Sequence, residues 1–197
     1  MQYIPNPPSQ LAMNNFRAYT NKGLTKACRF VVHIKGGNLI PAALGNQTAT
    51  VFLDGLSYLC ESAELPGRAF MNIDARYYGP NQKLPFQSVY QDFNATFICR
   101  SESLEREFFD DWMTIINPIN TWDFNYRNDY SALIDVFQFK ENNEPNYLFT
   151  LLDAYPIIVN PQPVSWESNE FQKLMVTFTY THWRRPNDPV AGAFSII

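Results

Sequence analysis

Leu174-Met175-Val176-Thr177-Phe178-Thr179-Tyr180-Thr181-His182-Trp183 is the stretch on which the fold class turns. Leu174, Val176, Phe178 and Tyr180 share one side and Thr177, Thr179 and Thr181 the other, the period of two of a strand with a dry face and a wet face. The same alternation recurs upstream. Phe93, Ala95, Phe97 and Cys99 oppose Asn94, Thr96, Ile98 and Arg100, and Phe30, Val32 and Ile34 oppose Val31, His33 and Lys35. Over residues 70–78, Met71, Ile73, Ala75 and Tyr77 are apolar while Asn72, Asp74 and Arg76 are polar, and Gly79-Pro80-Asn81 turns the chain. Residues 132–140 and 147–153 read as strands joined at the Asn142-Asn143-Glu144-Pro145 turn. Asp54-Gly55, between Val51-Phe52-Leu53 and Leu56-Ser57-Tyr58-Leu59-Cys60, predicts a hairpin. Residues 36–47, rich in Gly, Ala and Asn, predict a loop.

One segment has helical spacing. Leu104, Phe108, Trp112, Ile115 and Ile116 form a stripe, Glu102 and Glu105 suit the positive end of the helix, and Ser101 or Ser103 is placed to cap it. Asn117-Pro118 ends it. The predicted class is mainly β, a sandwich or barrel with one flanking helix. The predicted organisation is an N-terminal arm over residues 1–26, marked by Pro5, Pro7 and Pro8, a β domain over 27–186, and a C-terminal tail over 187–197.

The 197 residues suit one domain. Hydrophobic residues make up 46%, charged residues only 17% and aromatics 16%, which excludes a disordered chain or a coiled coil. A net charge of −4, with no cluster of Lys and Arg, argues against a tight grip on nucleic acid. Cys28, Cys60 and Cys99 lie far apart without ligand spacing, which predicts three buried thiols in a reducing compartment. MQYIPNPPSQ shows no basic segment followed by an apolar one, so no signal peptide is expected, and no apolar run approaches a membrane span.

Catalytic chemistry finds no foothold. His33 and His182 both fall in strand patterns, where satisfied strand histidines are the simpler reading. GxSxG, HExxH, Walker and GxGxxG motifs are all missing, and Gly36-Gly37 lacks the Lys and Ser/Thr of a phosphate loop. Glu102, Glu105, Glu107, Asp110 and Asp111 read as a solvated helix face rather than a metal site. Tyr126-Arg127-Asn128-Asp129-Tyr130 reads as a polar loop rather than a base-stacking platform. Trp112 and Trp183 read as core anchors. No cofactor, metal ligand or catalytic residue is assigned.

The order of elements carries a resemblance. Phe30-Val31-Val32-His33-Ile34 is followed by Tyr58-Leu59-Cys60-Glu61-Ser62-Ala63-Glu64-Leu65-Pro66-Gly67, and then by a long hairpin around Tyr77-Tyr78-Gly79-Pro80-Asn81-Gln82-Lys83-Leu84-Pro85. Tyr90-Gln91-Asp92-Phe93 leads into a strand, Phe108-Phe109-Asp110-Asp111-Trp112 lies on the helix, and Ser165-Trp166-Glu167-Ser168-Asn169-Glu170 precedes the final strand. This set, covering residues 28–184, resembles the tail tube protein family of contractile-tailed bacteriophages. The resemblance implies a structural virion protein with a β-barrel-like subunit. Six copies would form a ring, and stacked rings a tube within the sheath, whose lumen holds a tape measure protein and then passes genome DNA without binding it specifically. Sheath, baseplate and tail-terminator proteins are the implied partners, and the phage tail, assembled in the host cytoplasm, is the implied location. The long arms and the 36–51 insertion leave a baseplate tube-initiating protein or a related secretion-system tube as alternatives. A carbohydrate-binding β-sandwich is the rival of a different class.

On this reading the polar positions of two strands, Asn72, Asp74 and Arg76 with Thr177, Thr179 and Thr181, line the lumen. Glu107 and Asp111 face outward from the helix. Tyr77, Tyr78, Leu84 and Phe86, with the tail residues Phe194, Ile196 and Ile197, make ring-to-ring contacts, because they put apolar surface where a lone soluble subunit prefers polar residues.

Overall fold

The computed structural model describes residues 20–21, 23–36, 45–76, 78–167 and 169–186, and of residues 45–51 the backbone only. Most of the arm, the centre of the 36–47 loop, Tyr77 and the tail over 187–197 lie outside the described residues.

The alternating segments form strands and bury the expected sides. In β8 (Lys173–Thr179), Leu174, Val176 and Phe178 are fully buried while Thr177 and Thr179 are half-buried. β8 pairs antiparallel with β5 (Phe93–Ile98) in a register that sets Phe93 opposite Phe178, Ala95 opposite Val176 and Phe97 opposite Leu174, so the two dry faces coincide. β1 (Phe30–Lys35) pairs with β6 (Ala132–Phe139), and β2 (Cys60–Ala63) pairs with β5. β7 (Pro145–Val159) joins the halves. It pairs with β6 along residues 145–154, with the short β9 (His182–Arg184) on its other edge at residues 150–152, and with β8 along residues 155–159. The path is β1-β6-β7-β8-β5-β2. Its end strands β1 and β2 approach each other, curling the sheet toward a barrel that no ladder closes among the described residues.

The bend in β7 has a local cause. Asp153 takes φ 54°, and the register shifts around it. Thr181 donates its backbone N–H to Leu152 O (3.0 Å) and its hydroxyl to Asp153 Oδ2 (3.2 Å). Arg127 Nη2 donates to both Thr181 Oγ1 (2.6 Å) and Asp153 O (3.2 Å).

The helical stripe folds as expected and covers the dry face. In α2 (Leu104–Ile116) Phe108, Trp112 and Ile116 are buried, with Leu104 and Ile115 half-buried. Phe109, outside the predicted stripe, is also buried, 5.2 Å from Phe97 and 6.0 Å from Phe178 between ring centres. Trp112 packs 6.0 Å from Phe178 and donates its indole N–H to Tyr130 O at 2.9 Å. Trp183 is half-buried against the core.

Several expectations are corrected. The predicted hairpin around Asp54-Gly55 is a helix, α1 (Gly45–Tyr58), which also takes the end of the predicted 36–47 loop. Phe52, Leu53 and Leu56 are buried, and Phe52 lies 5.4 Å from Phe108. A short apolar run with i, i+1, i+4 spacing fits either state, and packing against β1 and α2 overrides the Asp-Gly signal. The polar loop at Arg127 is a short helical turn, α3 (Arg127–Tyr130), so the described residues hold three helices where one was expected. Ser103 occupies the helix cap position but makes no side-chain cap; its carbonyl accepts the Arg106 N–H. Cys28 is exposed and Cys60 and Cys99 are only partly buried, so the expected three buried thiols are not found.

Glu105, expected on a solvated face, has no exposed surface. Its carboxylate accepts the Arg100 Nε–H at 2.5 Å and the Arg100 backbone N–H at 3.1 Å, which turns a buried charge into a latch between β5 and α2. Burial alone would raise its pKa, but the bonds from Arg100 outweigh burial and the net direction is downward.

Trp112→Ala should cost about 3–5 kcal/mol in denaturant unfolding; a loss below about 1 kcal/mol would remove the stripe from the core. A carboxyl whose pKa falls on folding stabilises the fold above the unfolded Glu value of about 4.3, and that contribution is lost as pH falls through the folded value. Glu105→Gln should therefore cost about 1.5–3 kcal/mol at neutral pH. The gap to wild type should close under acid, and urea midpoints at pH 7 and pH 3 (about one unit below the unfolded value) check it. A gap that does not change with pH would refute the charge-based latch.

Candidate assembly interface

Among the described residues β3 (Arg68–Ala75) and β4 (Gln82–Tyr90) pair only with each other and form a two-stranded sheet apart from the main one. The expected turn lies between them, with Gly79 at φ 87°, a left-handed conformation that favours glycine. Ile73 faces Leu84, Asp74 faces Lys83 and Asn72 faces Pro85, while a register shift leaves Phe86 as the extra residue. Pro85 offers no N–H to a ladder, as suits a free edge.

The base of this hairpin is tied down. Tyr90 stacks edge-on to Tyr180 (6.2 Å) and Trp183 (6.5 Å), and the Arg68 guanidinium lies over Phe70 and Tyr90 and donates to Ser88 Oγ at 3.0 Å. Among the described residues nothing covers the apolar side of the blade beyond. Met71, Ile73 and Leu84 lie on one face and stay about half exposed, and Phe86 is 74% exposed. Asn72 and Asp74 lie on the opposite face, and Arg76 follows as an exposed residue at the end of β3. Tyr78 at the tip is fully exposed. Tyr77, Phe194, Ile196 and Ile197 lie outside the described residues.

The second set of polar positions lies elsewhere. Thr177 donates to Asn94 Oδ1 (2.8 Å), whose amide donates to Glu64 Oε2 (2.8 Å), and Lys173 pairs with Glu61 (2.6 Å). These residues tile the outer face of β8 and β5, with Thr179 beside them. Thr181 is exposed but belongs to the bonds at the β7 bend. Within one chain, then, Asn72, Asp74 and Arg76 stand on or beside the hairpin, and Thr177, Thr179 and Thr181 on the main wall. On α2, Glu107 is exposed, Asp111 is half-buried, and Asp110 pairs with Arg106 at 2.8 Å.

A further surface escaped the sequence reading. After α2, residues 117–126 form a loop in which Ile119, Trp122, Phe124 and Tyr126 are 66–86% exposed. Its backbone is nonetheless ordered. Asn125 donates its N–H to Ile116 O (3.1 Å) and its amide to Ile115 O (2.7 Å), and the Trp122 N–H reaches Pro118 O (2.9 Å). Trp122 is held at φ 59°, a strained conformation for a bulky residue. Four large apolar residues within eight positions rich in Asn and Asp were the signal. A second exposed loop carries Val164, Trp166 and Phe171.

His33 Nε2 lies 3.2 Å from Asp54 Oδ1, and His182 lies on β9 opposite Leu152. Burial pushes the Cys60 thiol up to about 12 and raises Cys99, so neither is a ready thiolate at neutral pH. Burial, with Asp92 nearby, pushes Tyr180 up to about 12, and its hydroxyl donates to Gln91 O at 2.7 Å. Among the described residues no three His, Cys, Asp or Glu side chains gather as a metal site.

Solved structures with a similar fold belong to contractile assemblies. A chain of the anti-feeding prophage baseplate matches with TM-score 0.58 at 16% identity, over 82% of this chain and 94% of that one. A chain of the sheath/tube terminator of the extracellular contractile injection system PVC matches with TM-score 0.58 at 13% identity, over 82% and 95%. One from the PVC sheath–tube complex matches with TM-score 0.52 at 15% identity, over 89% and 99%. At such identities the likeness is one of fold. A search of curated proteins found no match. A family model described as phage tail tube protein matches residues 25–186, the whole of the β domain with its helices and hairpin. The chain belongs to the phage tail tube protein family.

Proposed function

We propose that this chain is the repeating tube subunit of a contractile phage tail, with six copies closing into a ring and rings stacking into the tube that conducts genome DNA. The observation that carries the reading is the free hairpin. A two-stranded sheet is marginal in water on its own, yet this one keeps Met71, Ile73, Leu84 and Phe86 exposed. A neighbouring copy that covers it resolves both problems. The protein's role is then structural, without a reaction. Its partners are further copies of itself, the sheath, the tape measure protein, and the baseplate and terminator. Its place is the virion, after assembly in the host cytoplasm.

In this reading Asn72, Asp74, Arg76, Thr177, Thr179 and Thr181 line the lumen, Glu107 and Asp111 look toward the sheath, Tyr77, Tyr78 and the tail residues Phe194, Ile196 and Ile197 join successive rings, and Leu84 and Phe86 meet a neighbouring copy of the same ring. The net negative charge keeps DNA in transit from sticking. A second reading, a tube initiator at the baseplate, is favoured by the similarity to a chain of a baseplate; it predicts rings that do not polymerise alone.

Native mass measurement and negative-stain microscopy of concentrated protein test the proposal. Six-fold rings and tubes are expected, and a monomer at every concentration would overturn it. Deleting residues 187–197 should leave the subunit folded while raising the concentration needed for stacking; tubes that form equally well would remove the tail from the contact. In assembled tubes with Cys28→Ser, a cysteine introduced by Thr179→Cys should react with a small maleimide and be shielded from one coupled to a bulky protein. Equal reaction with both would place Thr179 outside the lumen.

A further inference from the structure

We propose that the apolar face of the β3–β4 hairpin receives the aromatic loop over residues 117–126 of a second copy of this chain, in a head-to-tail contact. The inference rests on the tube reading and names the two surfaces that meet.

Each surface is built for contact and incomplete alone. The hairpin offers Met71, Ile73 and Leu84 on a flat face, with Phe86 raised by the register shift. The loop offers Ile119, Trp122, Phe124 and Tyr126 on a backbone fixed by the Asn125 and Trp122 hydrogen bonds, so little ordering entropy is lost on docking. Rigid Trp and Tyr side chains on an ordered loop are the usual anchors of interfaces.

Charge selects the pairing. Residues 68–90 carry Arg68, Arg76 and Lys83 against Asp74, a net of +2; Arg68 and Lys83 share the polar side of the ribbon with Asn72 and Asp74, so these charges steer the approach of a copy rather than pair across the apolar face. Residues 100–130, which hold the Arg100–Glu105 latch, α2 and the loop, carry seven acidic side chains against three arginines, a net of −4. The chain as a whole is −4, so its negative excess is concentrated in that one unit. Two copies that meet hairpin to loop bring opposite potentials together, whereas hairpin to hairpin or loop to loop brings like potentials together. Asp123 stands between Trp122 and Phe124, at the contact itself. Because the two surfaces differ, the contact is heterologous and propagates from copy to copy until a ring closes.

Two full-length variants test this by complementation. One carries Ile73→Ser with Leu84→Ser, the other Trp122→Ser with Phe124→Ser; all four side chains are exposed, and circular dichroism with thermal melting verifies that both variants fold. Each alone is expected to stay monomeric at concentrations at least about tenfold above those at which wild type assembles. Mixed, they share one intact contact, so native mass measurement should show a heterodimer that grows no further. As a second arm, Lys83→Glu, which takes the net charge of residues 68–90 to zero, and Asp123→Lys should each slow assembly at low salt. If wild type assembles and either double variant assembles equally well, the inference falls while the tube reading stands. If both variants are monomeric but give no heterodimer, or if Trp166→Ser rather than the 117–126 variant complements the hairpin variant, the pairing is wrong. A wild type that never assembles overturns the tube reading and this inference with it.

Discussion

Strand β7 runs for 15 residues and is shared by both halves of the main sheet, so its bend sets the shape of everything else. At Asp153 the chain passes through a left-handed conformation that aspartate tolerates better than most residues. Opposite it, β8 and β9 are interrupted at Tyr180 and Thr181, and the gap is filled by Arg127 donating to Thr181 Oγ1 and Asp153 O. A straight β7 would leave a flat sheet with two open faces. The bend folds β6 and β1 over toward β2, so that Ile134, Val136 and Phe149 join Phe93, Val176 and Phe178 in one core. Trp112 then holds α2 to α3 through Tyr130 O, and α3 carries the Arg127 that holds the bend. Bend, helix and core are mutually dependent.

A completed core makes the exposed apolar surface more telling. The wall buries its share, yet Met71, Ile73, Leu84 and Phe86 on the hairpin and Ile119, Trp122, Phe124 and Tyr126 on the 117–126 loop remain in water. One contact covers a set from each copy, and burying what these eight side chains still expose is worth about 8–16 kcal/mol. Association costs about 4–15 kcal/mol in lost freedom. One contact between two copies is thus close to balanced. In a closed ring each copy makes two contacts, and the last subunit to enter gains both while losing its freedom once. Closed assemblies are favoured over dimers by that arithmetic, with no single contact needing to be strong.

What the sequence disclosed, and what it hid, divides by the range of the physics. Alternation with period two located β1, β5 and β8 and correctly put Val176 and Phe178 inside and Thr177 outside, because a buried sheet face constrains every second residue. The α2 stripe was legible for the same reason at a different period. The hairpin turn at Gly79 and the turn at Asn143, both at positive φ, were legible as local chemistry. α1 was hidden because Phe52, Leu53 and Leu56 satisfy either period over so short a run, and only the neighbours β1 and α2 decide. Glu105 was hidden because nothing in a one-dimensional pattern says that Arg100 bends back to meet it. The 117–126 loop was hidden because its aromatic residues follow no period: their exposure is a fact about what this chain lacks, and pattern reading detects what a chain contains.

The same distinction accounts for a fold shared at 13–16% identity with TM-scores of 0.52–0.58. The wall demands that alternate residues be apolar and of fitting volume, not that they be particular residues, and cores accept many such sets. Positions with a narrower demand are few: the left-handed Asp153, the Arg127 that bonds across it, the Glu105–Arg100 latch, and the Trp112 indole aimed at Tyr130 O. Each couples two elements, so a change at one end needs a change at the other. Surfaces between copies are constrained differently again. A heterologous contact needs its two faces to match each other, so hairpin and loop, if they meet as proposed, can drift together without any cost to the fold of the subunit. Sequence divergence is then expected to be greatest where the subunit meets its own copies, and to be correlated between residues 68–90 and 117–126.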